Sequence, residues 1–275
     1  MPELPEVETI VRDVAPRIAG RQIVEARLSK TDVLRQVSTR RLLATLTGNT
    51  ITGVARRAKH VVITLASGER LIIQPRMTGS LVAYDRPLSP AETKYAVLVC
   101  RLEDGGWLVY RDIRRLGTIS LLSPTAWLAY SARIGPEPLE RRFTGAVFAS
   151  RLRGSRAAIK KALMDQRRIA GIGNIYANEA LFAAGLDPSR AASSIAAAEY
   201  SRLYVSVREV LRRAVRAKGS TVRDYRTGTG ATGRFQLELK VYGRGGEACV
   251  RCGRRLVTTH AIDLRATTLC PHCQR

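Results

Sequence analysis

The chain of 275 residues is short of acid, of lysine, of cysteine and of long apolar runs, and each shortage excludes something. No apolar stretch approaches the ~18–20 residues of a membrane-spanning helix. The N-terminal MPELPEVETI has neither the basic nor the apolar segment of a secretory signal. A cytoplasmic protein without a membrane partner is therefore expected. Acidic residues number 23 against 46 basic ones, and the resulting formal charge of +23 points to a polyanion. Only seven of the bases are lysine (Lys30, Lys59, Lys94, Lys160, Lys161, Lys218 and Lys240), so 39 are arginine, whose planar fork matches phosphate oxygens. Five cysteines are an odd number, and four of them fall in the last 27 residues. That distribution fits a local metal site better than a disulfide framework. Cys100, in the apolar run from Ala96, reads as a small buried hydrophobe.

What the chain does have is a core: 45% hydrophobic residues over this length suit two packed domains and exclude a disordered basic tail. Split at Gly135-Pro136, the first part holds 20 basic and 12 acidic residues and the second 26 and 11, so both are basic, at +8 and +15. A polyanion held by both would lie across the seam, where Gly135-Pro136-Glu137-Pro138 reads as a short stiff linker. Val7, Ile10, Val11, Val14 and Ile18 at helical spacing, stopped by Gly20, predict an amphipathic helix near the N-terminus. Strands are predicted over 61–65, 71–74, 95–102, 107–111 and 118–122, with turns at Ser67-Gly68 and Asp104-Gly105-Gly106. Such hairpins suggest an antiparallel sandwich. The later period is helical, around Ile159–Leu163, Ile175–Phe182 and Leu203–Val215, and the glycine-rich 227–233 reads as a mobile loop.

Cys249-x-x-Cys252 followed by Cys270-x-x-Cys273 forms two knuckles whose four thiolates can close a tetrahedron around one structural Zn2+. Between them, 254–257 and 264–267 look like the strands of a hairpin, with Arg265 able to reach phosphate or a groove; the alternative is a ribbon that only staples the C-terminus. Pro2 follows an initiator Met of the kind commonly trimmed, which would expose a secondary amine. An α-amino group has a pKa of ~7.7–8.0, so an appreciable fraction is unprotonated and nucleophilic at neutral pH. Attack on a deoxyribose C1′ would give an iminium that acidifies the C2′ proton, with Glu3 and Glu6 as candidate proton carriers. On spacing alone the stronger reading is that these prolines and acids cap the first helix.

The terminal MPELPEVET, Ala58-Lys59-His60, Met77-Thr78-Gly79-Ser80-Leu81, Gly171-Ile172-Gly173-Asn174-Ile175-Tyr176-Ala177, Val241-Tyr242-Gly243-Arg244 and the knuckles occur in one order that resembles the bacterial formamidopyrimidine-DNA glycosylases nearly end to end. The resemblance implies an α+β fold. It comprises an N-terminal antiparallel β-sandwich domain flanked by helices (1–135), a linker (136–150), a helix–two-turn–helix domain with a lesion-recognition loop (151–235) and a zinc-finger β-hairpin (240–275). It implies a monomer that binds damaged double-stranded DNA in a cleft. It further implies excision of oxidised purines (8-oxoguanine and formamidopyrimidines) through a Schiff base on Pro2, with β,δ-elimination. By the same resemblance Glu3 is the general acid/base, Lys59, Asn174 and Arg265 hold phosphates, and Met77, Arg114 and Arg115 occupy or flank the space left by the flipped base. Lys59 and Arg265 join the catalytic set through the phosphates they hold. Taken alone, Lys59 would be a solvated charge, and the glycine pair before Asn174 would serve either an anion at the helix start or tight helix packing.

Three departures stand out. Leu116 replaces the usual Phe, Gln74-Pro75-Arg76 precedes Met77 where an apolar residue and a glycine are common, and Thr268 replaces an aromatic. Leucine can still wedge between bases. Segment 223–234 aligns with the family's lid over the extruded base, and Glu179 is a candidate support for the proton chain. Competing expectations are an endonuclease VIII-like enzyme for oxidised pyrimidines, a non-catalytic damage binder and a zinc-ribbon regulator.

Overall fold

Helix α1 (Leu4–Ile18) buries Val7, Ile10, Val11, Val14 and Ile18, the stripe set by its spacing, and ends before Gly20 at φ +84°. In the computed structural model, which describes residues 2–221 and 225–275, α1 packs on strands of two sheets. One sheet has the order β1 (Ile23–Leu28), β6 (Ala96–Leu102), β7 (Trp107–Asp112), β5 (Gly79–Tyr84). The other has the order β2 (Ile51–Arg57), β3 (His60–Leu65), β4 (Arg70–Gln74), β8 (Thr118–Leu122). Every pairing in both is antiparallel. Alternate residues such as Val61, Ile63, Leu71, Ile73, Leu81, Leu98, Cys100 and Tyr110 fill the shared core, as the period-2 pattern dictates. Short helices α2 (Thr39–Leu46), α3 (Pro90–Thr93) and α4 (Pro124–Ala132) complete this part.

The chain divides into two units, one formed by residues up to Ala132 together with Ala217–Arg234, the other by Arg133–Arg216 with Phe235–Arg275. The segment that takes in the expected lid thus groups with the sandwich, whereas the sequence reading places it with the helices. Counted this way the first unit carries 23 basic and 13 acidic residues and the second 23 and 10, so the charge is shared more evenly, at +10 and +13.

The second unit contains α5 (Gly145–Leu152), α6 (Ile159–Met164), α7 (Asn174–Ala184) and α8 (Ala197–Arg216), then the short ribbon β9 (Val257–Thr259) and β10 (Thr267–Leu269). Helix α7 is buried almost all round, and α8 presents Leu203, Val207, Leu211 and Ala214 to it. The segment expected to be a stiff linker is packed instead. The Gly135 N–H donates to the Gln166 carbonyl at 2.8 Å, and the Pro136 carbonyl accepts from Ala170 at 3.0 Å. A Cβ on Gly135 would lie 2.5 Å from the Arg168 backbone, so glycine is needed for close approach rather than for flexibility.

Candidate active site and nucleic-acid interface

In the first unit Pro2 and Glu3 are buried at the start of α1, Glu3 with 1% of its surface exposed. The Glu3 N–H donates to Glu6 Oε2 at 2.8 Å, and Glu6 Oε1 accepts from the Ser220 N–H at 2.7 Å. Glu6, a candidate proton carrier by sequence, therefore acts as a brace between the chain's first residues and residue 220. Gly219 suits the contact twice over: its φ is +79°, and a Cβ there would meet Glu6 at 2.9 Å. The Tyr225 hydroxyl lies 3.2 Å from the Glu6 carbonyl and 3.3 Å from that of Lys218. Burial, then the nearby Glu6 charge, raises its pKa, so it remains a donor.

The glycine-rich segment is fastened where the sequence suggests mobility. Its neck closes through the Arg234 N–H on the Ala217 carbonyl, and its tip through the Ala83 N–H on the Gly228 carbonyl at 3.2 Å. A side chain at Gly228 would run into Asp13 and Val14 of α1 at 2.7 Å. Two positions of the expected lid, Arg223 and Asp224, lie outside the described residues, as do Val222 and Met1.

Lys59 sits in the tight turn between β2 and β3, after Ala58 at φ +51°, and is only 8% exposed. It is not a freely solvated charge. Arg56 beside it binds the Ala58 carbonyl at 3.1 Å and Glu8 of α1 at 2.8 Å, which fixes the turn. Burial works to raise Glu8, but Arg56 and Arg12 outweigh it and hold the carboxyl below its ordinary range. Met77 and Arg114 are exposed on adjacent loops, with an Arg114 guanidinium nitrogen 3.9 Å from the Met77 sulfur. Asp112, which nothing in its neighbourhood marks, ties these loops. It accepts from the Thr78 hydroxyl, the Gly117 N–H at 2.7 Å and the Tyr110 hydroxyl at 3.2 Å. Thr78 in turn accepts from the Arg114 N–H at 3.1 Å. Met77 and Leu116, two of the positions expected to fill the space of an extruded base, are apolar and stay exposed at 44% and 37%, as does Ile113 at 50%. Arg115, at φ +52°, pairs with Asp32 at 3.3 Å.

In the second unit Asn174 opens α7, and its Nδ2 donates to the Ala266 carbonyl at 3.0 Å, which brings it beside Arg265. Arg265 is exposed; its N–H donates to Asp263 Oδ1 at 3.3 Å, and the buried Lys160 Nζ reaches the same oxygen at 3.2 Å. A cavity of about 420 Å3 next to Arg265 also presents Lys161, Arg167 and Arg168. The ribbon strands lie two to three residues later than the sequence suggests. Their register is set by tertiary bonds: Leu256 is buried in the cluster around the cysteines, and the Thr268 N–H donates to Asn178 Oδ1 at 2.8 Å. Glu179 does not support a proton chain. Its oxygens accept the N–H groups of Lys240, Val241 and Tyr242 at 3.0, 2.9 and 2.8 Å.

The four knuckle sulfurs, Cys249, Cys252, Cys270 and Cys273, lie within 4.8 Å of one another. Two of the pairs are at 3.5 and 4.0 Å. A tetrahedron with metal–sulfur bonds of ~2.3 Å needs sulfurs ~3.8 Å apart, so the cluster fits a metal. Burial acts to raise the Cys270 thiol, but N–H groups of Cys273 and His272 and the other sulfurs bring it to about 7, while burial and the sulfurs push Cys273 up to about 12. Four thiols this close cannot all ionise without a counter-charge, which a divalent cation would supply.

Residues 1–119 match the family model described as the formamidopyrimidine-DNA glycosylase N-terminal domain, and residues 134–226 the formamidopyrimidine-DNA glycosylase H2TH domain. The chain belongs to the formamidopyrimidine-DNA glycosylase family. A formamidopyrimidine-DNA glycosylase of Cereibacter sphaeroides is 41% identical over 284 residues, with both chains covered in full. A mutant of the Lactococcus lactis Fpg, solved with a Fapy-dG containing DNA, superposes with a TM-score of 0.90 at 35% identity over all of both chains. The Lactococcus lactis Fpg with an abasic site containing DNA gives 0.90 at 34%, covering 99% of each. The α+β sandwich and the cysteine cluster of this formamidopyrimidine-DNA glycosylase family member accord with the sequence expectation. Among the described residues no helix is long and apolar enough to cross a membrane.

Proposed function

We propose that the protein is a bifunctional DNA glycosylase and AP lyase of base excision repair that removes oxidised purines from double-stranded DNA. The observation that carries this reading is the buried Pro2-Glu3 pair at the head of α1, fastened by Glu6 to residue 220, in a chain related along its whole length to formamidopyrimidine-DNA glycosylases.

Once Met1 is removed, the neutral Pro2 nitrogen attacks the deoxyribose C1′, and the N-glycosidic bond breaks with its electron pair leaving on the protonated base. After the nitrogen gives up its proton, its lone pair forms the C1′ iminium as the C1′–O4′ bond breaks and the ring oxygen leaves as a protonated hydroxyl. That cation acidifies the C2′ proton; its removal by a carboxylate expels the 3′ phosphate, and a second elimination expels the 5′ phosphate. Glu3 is the carboxylate assigned to these transfers, as the acid adjacent to Pro2 that the family resemblance matches to the general acid/base, while Glu6 braces Ser220. Lys59, Asn174 and Arg265 would hold backbone phosphates as charge-assisted donors. Met77, Arg114 and Leu116 would fill the space of the extruded base, at an unstacking cost of a few kcal/mol, and Arg115 would steady the neighbouring backbone. Zn2+ suits the four-thiolate cluster, where a closed tetrahedron holds the ribbon and leaves no position for substrate.

Borohydride trapping on an 8-oxoguanine duplex tests the reading. Wild type is expected to cross-link and Pro2→Gly to give no adduct; equal trapping of the two would sink it. A parallel excision assay on thymine-glycol duplex separates the purine preference from an endonuclease VIII-like one.

A further inference from the structure

A cavity of about 400 Å3 in the first unit includes none of the residues assigned to the Pro2 chemistry or to the DNA backbone, although its wall takes in three positions of the expected lid. Its wall comprises Arg17 of α1, Ser80 and Val82 to Arg86 of β5 and the turn after it, Arg111 of β7, Glu92, and Arg226, Thr229 and Gly230 of the fastened loop segment. Four guanidinium groups therefore face one space. Only one is matched: Arg86 makes two bonds to Glu92, at 2.7 and 3.1 Å, and stacks on the Tyr84 ring. Arg17, Arg111 and Arg226 make no ion pair among the described residues. Arg17 reaches the Ala83 carbonyl at 3.3 Å, Arg226 the carbonyl of Tyr225 at 3.3 Å, and Arg111 the Ala91 carbonyl at 3.0 Å. The Arg111 Nε is buried without any hydrogen-bond partner. Asp85, at the rim, is exposed.

Burying a charged donor unpaired is costly, and crowding like charges adds to the cost; a phosphate dianion removes both penalties with charge-assisted bonds. The volume sits at the lower end of the ~300–1,000 Å3 usual for small-ligand sites, which suits one nucleotide rather than a duplex. We infer that this cavity binds the phosphate of a nucleoside-monophosphate-sized small molecule, through Arg17, Arg111 and Arg226. Because Arg226, Thr229 and Gly230 belong to the loop and the other groups to the sandwich, the ligand would bridge the two. It would strengthen the single tip bond from Ala83 to Gly228. This binding does not rest on the Pro2 chemistry.

The test uses the full-length protein at fixed ionic strength, titrated calorimetrically with deoxyadenosine monophosphate and with inorganic phosphate. Saturable one-to-one nucleotide binding is expected, weaker by about tenfold or more in Arg17→Gln/Arg111→Gln. The affinity of that variant for an abasic-site duplex is expected to change less than about twofold, and nucleotide binding to survive in Arg212→Gln, an exposed position on α8. Amide exchange at 227–231 is expected to slow when nucleotide is bound. Absence of binding, or equal loss in Arg212→Gln, overturns the site. Parallel loss of duplex affinity makes it a DNA contact instead, and phosphate alone binding as tightly as nucleotide overturns the ligand size. Unchanged exchange overturns the bridge to the loop. Borohydride trapping of the same preparations reports the Pro2 reading separately.

Discussion

Two buried glutamates on two helices do the same local job in different ways. Glu179 of α7 collects three consecutive N–H groups from 240–242 and makes a closed structural joint between the helix and the chain leading to the ribbon. Glu6 of α1 divides its oxygens between its own helix start and Ser220, so its joint includes residues that the proposed chemistry uses. A buried carboxylate that accepts backbone N–H groups is satisfied in both places. What differs is whether the strands of backbone it joins carry a reacting group.

The largest way to break the comparison acts on the Glu179 joint from outside. Chelation, or Cys270→Ser, is expected to unravel the 240–275 ribbon, since structural zinc in small modules contributes about 10–16 kcal/mol of apparent folding energy. Bound metal falling from one per chain to none, together with loss of the cooperative melt of that region, checks it. Glu179→Ala is next, at about 1–3 kcal/mol for each N–H left unpaired. It should lower the denaturation midpoint and leave the trapping rate per folded molecule unchanged. Glu6→Ala should slow trapping at least tenfold; if the two variants lose stability and trapping in the same proportion, the distinction fails. The smallest effect is electrostatic. Glu199 is held at about 2 against an ordinary 4.5 by its paired Arg190 and the Ala196 N–H. A carboxyl with a depressed folded pKa stabilises fully above about 4.5, and that contribution is lost as pH falls toward about 2. The pair is partly exposed, so the loss is minor, and Glu199→Gln should remove that part of the acid-side slope in denaturant melts.

Much of this was legible in local pattern. The stripe of α1, the hairpins at 61–74 and 96–111 and the paired knuckles each obey a short period or a fixed spacing, and the structure keeps them. Strand β2, with Gly53 inside it and two arginines at its end, lacks the alternation that would mark it. β1 carries a register slip after Ile23, and α4 mixes Trp127, Leu128 and Tyr130 with small residues so that no face stands out. The joints were less visible still. Glu6 and Ser220 are 214 positions apart and Glu179 and Lys240 are 61, and no window reports what a carboxylate will meet after folding. Asp112 reads as one acid among arginines until Thr78, Tyr110 and Gly117 converge on it.

The split of the first unit also sets a timetable for synthesis. Residues up to Ala132 leave the ribosome early, but the segment that Glu6 fastens begins at Ala217, after the whole of Arg133–Arg216 has been made. At about 5–20 residues per second, the first turn of α1 waits roughly 10–45 s for Ser220 to arrive. A nascent chain therefore carries every strand of the two sheets long before it carries the partner of Glu6, and a product that stops short of residue 217 would hold Pro2 and Glu3 without the Glu6–Ser220 contact.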